Sequence, residues 1–270
     1  MADYVTLRRG RNALSTATHI ILNVGLAVAT TVLTVVSANW VFAVLLVLLS
    51  KWRVVAVRPR YWWLNIKANL VDFIVGISAV LMVYLANPAG GSPNFWQIVL
   101  TIAYIIWLVG IKPRSSVRAA ETQALFAVFF GAFVLSLITA QIDPVVGVIV
   151  SFIIGYGATR HVLMQGDDHD FTITTFIFGM MVAELYWICY HWTITYQLGR
   201  SIENGFFTSF AVPQFPILAT IMLFVFARGY KSALRHDGKI RIDDILAPAI
   251  FSALVMVLMV FFYSVPNFNI

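Results

Sequence analysis

The chain has 270 residues, of which 60% are hydrophobic and only 11% charged, with a formal net charge of +6. Soluble domains carry about 25% charged and about 45–50% apolar residues, so this composition excludes a soluble globular fold and a disordered chain. The single cysteine, Cys189, excludes an internal disulfide framework and a dithiol redox pair.

What remains is an all-α fold, a polytopic transmembrane helical bundle. Residues 1–270 are expected to form one transmembrane domain with no soluble domain. A transmembrane β-barrel would alternate apolar and polar residues with period 2, whereas runs such as Val41 to Leu49 are continuously apolar. A helix needs about 20 apolar residues to cross the hydrocarbon core. Nine segments qualify, at about 14–36, 39–57, 66–86, 95–111, 123–140, 144–163, 171–193, 206–228 and 244–265.

The first segment carries a basic leader and ends in Val36-Ser37-Ala38, as a signal peptide does. Its apolar stretch of about 23 residues exceeds the usual 7–15, which predicts that it is retained as a span. With the N-terminus inside, nine spans place all but Arg200 of the 18 basic residues on the inner side. The positive-inside rule then makes those loops cytoplasmic and leaves the C-terminus outside. Because the charges are dispersed over short loops, nucleic acid is not an expected partner. The lipid bilayer is, together with a small solute, a lipid or other membrane proteins. The outer loop Asn87-Pro88-Ala89-Gly90-Gly91-Ser92-Pro93-Asn94 is turn-rich and uncharged.

Several chemistries are missing. Every lysine falls in an inner loop or at a span end, which excludes a retinal Schiff base. The sequence has no P-loop for ATP and no H-E-x-x-H for zinc. Gly76-Ile77-Ser78-Ala79 lacks the second glycine of a nucleophile elbow. In an intramembrane aspartyl protease an aspartate would follow Gly155-Tyr156-Gly157, but Ala158 stands there.

Ionisable groups inside a bilayer are costly and default to functional roles. Glu184 lies about 20 Å into the seventh span at 1.5 Å per residue. Glu184, Trp187 and His191 follow at i, i+3 and i+7, one helix face. Such a face can carry protons or bind a cationic or aromatic group. Alternatively, Glu184 hydrogen-bonds to a neighbouring helix, with His19 or Asn23 of the first span as partners. In the third span Asn65, Asn69 and Asp72 form a polar stripe at i, i+4 and i+7. It would serve as an inner gate or ion ligand, or pair with Lys67 or Arg58. Pro213 and Pro216 interrupt the eighth span, as in the broken helices of transporters; alternatively, that span starts near Pro216, since proline suits a first turn. Asp167, Asp168 and Asp170, with His169, are candidates for a hard cation, but acids placed before a helix better suit capping of the seventh span.

Three functions follow. A transporter or channel would use Glu184 and Asp72 as buried acids. A non-catalytic subunit or scaffold would present a small-residue seam to lipid, and no strong G-x-x-x-G is present. For the third, the topology and two short patches resemble the nine-helix intramembrane prenyltransferases. Asn65, Asn69 and Asp72 would match their first aspartate-rich motif, and Asp167, Asp168 and Asp170 the second. The resemblance implies Mg²⁺ and a prenyl diphosphate at the inner face. The first patch keeps one acid, however, and the second lacks the D-x-x-x-D spacing.

Overall fold

The computed structural model describes residues 2–54, 56–113, 116–164, 171–198 and 210–261. They form an essentially all-helical protein. Six helices are long and apolar enough to cross a membrane, and a bent helix pair makes up to seven. This is the architecture of a multi-pass membrane protein. Each of the nine expected segments contains a helix, but two of these helices are shorter than a span usually requires. Contacts divide the chain into two compact units, Met1–Ala119 and Ala120–Ile270.

The first unit contains α1 (Ala2–Ser37), α2 (Trp40–Ser50), α3 (Trp62–Ala68), α4 (Leu70–Ala86) and α5 (Phe95–Ile106). A tight turn joins α1 to α2. Asn39 caps α2 by accepting the Val41 N–H at 2.9 Å, which satisfies one of the free donors at the helix start. Gly90 adopts φ +69, and a Cβ there would stand 2.6 Å from the Val35 carbonyl oxygen. The 87–94 loop therefore closes tightly over the end of α1. Asn94 and Gln97 form a capping box that starts α5, and the buried Gln97 also donates to the Val83 carbonyl at 3.0 Å. Thr31 and Thr101 hydrogen-bond at 2.7 Å, which ties α1 to α5.

Two expected boundaries change in this unit. The second segment, read as 39–57, is helical only to Ser50 and continues as a 3₁₀ turn over Trp52–Val54. The third, read as one span over 66–86, is broken at Asn69, where α3 and α4 meet at 65°. The Asn69 N–H bonds to the Asn65 and Ile66 carbonyls, and its side-chain amide also donates to Asn65 O at 2.9 Å. Asparagine competes with the helical ladder in this way, so it ends one helix and begins the next.

The second unit contains α6 (Val117–Ile138), α7 (Pro144–Leu163), α8 (Phe171–His191), α9 (Gln214–Arg235) and α10 (Ile242–Phe261). Pro144 occupies the first turn of α7, and Asp143 caps it by accepting the Val145 N–H at 2.8 Å. Helices α7 and α8 share an extensive contact, and their sequence explains why. Gly147, Ser151, Gly155 and Thr159 recur every fourth residue on α7, and Thr175, Gly179 and Ala183 do so on α8; all are buried. Small residues at this spacing let helix backbones approach closely. A small-residue seam therefore exists, but it lies inside the hairpin rather than facing lipid.

A short antiparallel pair, β1 (Thr195–Leu198) with β2 (Phe210–Pro213), precedes α9 and was not expected. The eighth segment, read as 206–228, becomes helical only at Gln214. Pro213 is its N-cap, and the buried Pro216 sits in its first turn, where a missing N–H costs nothing. The prolines thus start a helix rather than break one.

Candidate functional site

In the first unit Asp72 lies in the first turn of α4. It does not pair with Lys67 or Arg58. Its Oδ2 instead accepts from Lys51 Nζ at 2.7 Å and contacts Lys112 Nζ at 3.0 Å. Lys51 stands one residue beyond α2. Lys112 follows a π-helical turn, Trp107–Ile111, which extends α5. That turn carries an extra residue per hydrogen bond, and such turns recur where a side chain must be re-aimed. Burial pushes the Lys51 ammonium down to about 8, against the opposing pull of Asp72. Lys67 lies instead over the Trp63 ring, at 5.4 Å.

An open pocket of about 350 Å³ adjoins this cluster, lined by Ser50, Lys51, Arg53, Val54, Asn65 and Asn69. The break at Asn69 divides the expected stripe: the two asparagines line the pocket, while Asp72 is held by the lysines. With two lysines on one carboxylate and Arg53 lining the adjoining pocket, this locale is net positive. Mg²⁺ ligation by Asp72 gains no support from such surroundings. Among the described residues no group of three or more metal-ligating side chains occurs. Asp167, Asp168 and Asp170 lie outside the described residues.

In the second unit Glu184, Trp187 and His191 share one face of α8, and all three are exposed. The Trp187 and His191 rings meet edge to face, 4.5 Å between centroids. Glu184 borders an open groove of about 600 Å³ whose other lining residues are apolar, among them Val145, Val148, Met180 and Ile188. His19 is exposed on α1, and Asn23 Nδ2 lies 3.0 Å from its Nδ1, so these two residues serve each other.

Sequence reasoning passed over Glu121, near the start of α6. It pairs with Lys231, and Arg228 approaches it at 3.7 Å. Ser232 donates to Asp244 at 2.7 Å across the α9–α10 turn, and His236 stands 3.3 Å from the same carboxylate. The signal for Glu121 was available: it is an acid one turn inside an apolar helix, where a carboxylate needs a cation or donor. Gln123 and His161 are 2.8 Å apart, linking α6 to the end of α7. A small cavity lies among Ser136, Thr139, Tyr186, Thr193 and Gln214, with room for about one water molecule. No protein-family model, curated protein or solved structure matches this chain.

Proposed function

We propose that the chain is a nine-span membrane subunit that assembles laterally with another transmembrane protein through the α7–α8 face around Glu184. The observation that carries this reading is the exposure of Glu184 in an apolar groove. At 1.5 Å per residue Glu184 lies about 10 Å from the end of α8, too deep for its carboxyl to be left facing hydrocarbon. Acids at such depth face protein or water and find partners there. A covering helix that brings a hydrogen-bond donor or cation satisfies it. The same exposure gives little support to a proton relay through the interior of the unit.

Site-directed photo-crosslinking tests this reading. A photoreactive benzophenone side chain placed at Ile188, on the same exposed face, should cross-link to a second polypeptide, and Glu184→Leu should reduce that product several-fold. A cross-link only within the chain, or none, overturns lateral assembly.

The topology carries its own prediction. Reporters fused after Asn94 and Ile270 should read as external, and those after Arg118 and Lys239 as cytoplasmic. A cytoplasmic C-terminus would overturn the nine-span count. A second reading, transport of a solute, is favoured by the 65° break between α3 and α4, since discontinuous helices form many transporter sites. Solute counterflow in proteoliposomes that is lost in Asn69→Leu would favour it.

A further inference from the structure

We propose that the pocket at the α2–α3–α4 junction binds the phosphate group of an anionic phospholipid headgroup. Lys51 and Arg53 bring positive charge to it, Asn65 and Asn69 bring amide donors, and Ser50 brings a hydroxyl. Lys112 adds a third cation through Asp72. The lining itself thus carries two cations, Lys51 and Arg53, and no carboxylate. Arg53 is exposed and makes no ion pair among the described residues, so its guanidinium is available for a two-pronged grip on phosphate oxygens.

The surroundings identify the source of the phosphate as lipid. Next to the pocket, Trp52, Tyr61, Trp62 and Trp63 are all exposed, and Arg60 lies over the Tyr61 ring at 4.6 Å. Exposed indoles and phenols interleaved with arginine belong at headgroup depth. The 65° turn between α3 and α4 makes α3 a short interfacial segment rather than part of a straight span. A phosphate held here would leave its acyl chains beside the exposed apolar face of α2. Basic pockets between helix ends on the inner face are suited to anionic headgroups. The choline of a zwitterionic lipid would be repelled by the same cations.

The test uses the full chain in detergent, titrated with short-chain phosphatidic acid, short-chain phosphatidylcholine or inorganic phosphate. Thermal stability and native mass spectrometry are the readouts. Phosphatidic acid should give a saturable upward shift in Tm and one retained lipid, and phosphatidylcholine neither. Arg53→Gln changes an exposed side chain with no folding role, and should weaken the response about tenfold, the worth of one charged hydrogen bond. Arg60→Gln, outside the pocket, should change it less than about twofold, as surface substitutions do. Saturation by inorganic phosphate at similar concentration would keep the phosphate site but assign it to a soluble anion. No saturable response to either phosphate source, or equal losses in Arg53→Gln and Arg60→Gln, overturns the proposal.

Discussion

Replacing Gly155 with alanine should cost about 1–3 kcal/mol, and replacing it with leucine should force α7 and α8 apart. The added Cβ would lie 2.7 Å from Val182 Cγ2 and 2.8 Å from Val182 Cβ. It would also stand 3.3 Å from the Gly179 Cα, which is backbone and cannot rotate away. Gly147 and Gly179 are equally confined, against the Tyr186 hydroxyl and the Phe152 ring. The control is Gly25 on α1, where a Cβ meets nothing within 4 Å. There the helix preference for alanine acts alone, and Gly25→Ala should stabilise by up to about 1 kcal/mol. Thermal unfolding in detergent distinguishes the two. A Gly155→Ala protein as stable as the parent would show that the seam is looser than these distances imply.

This seam shows what the sequence revealed and what it hid. Hydropathy located nine apolar segments, and two of them match their helices at both ends: 144–163 and, with its π turn, 95–111. A search for paired glycines missed the seam, because Ser151 stands midway between Gly147 and Gly155. Read as small residues every fourth position, the pattern was legible. The break at Asn69 was not, since both sides of it remain apolar enough for a span. Nor were the partners of Asp72. Lys51 and Lys112 are 21 and 40 positions away, and only the packing of α2, α4 and α5 brings them together. The shared face of Glu184, Trp187 and His191 followed from helical spacing alone. The direction of that face did not, because a helix apolar on every side carries no signal for which side the protein buries.

The second large effect is expected at Asp72. Asp72→Asn keeps the shape of the side chain but removes the charge that compensates Lys51 and Lys112. Breaking a buried pair on one side costs about 3–5 kcal/mol. The side chains here keep 13–25% of their exposure, which places the cost near the lower end, about 3 kcal/mol. Asp72→Leu should be worse, since it also removes the hydrogen-bond acceptor. The pH dependence has a definite sign. Lys51 holds its proton less tightly in the folded protein, at about 8, than the ordinary 10.5. The unfolded chain therefore binds more protons between those values, and stability rises with pH across that window. Below about pH 8 the cost of the buried ammonium is fully present. Removing the Asp72 carboxylate removes the main attraction holding that proton, so in Asp72→Asn the rise should begin at lower pH. Thermal unfolding of parent and variant from pH 6 to 10 would show the gap between them narrowing as pH increases. A gap independent of pH would mean that Asp72 stabilises the unit through packing rather than through the two lysines.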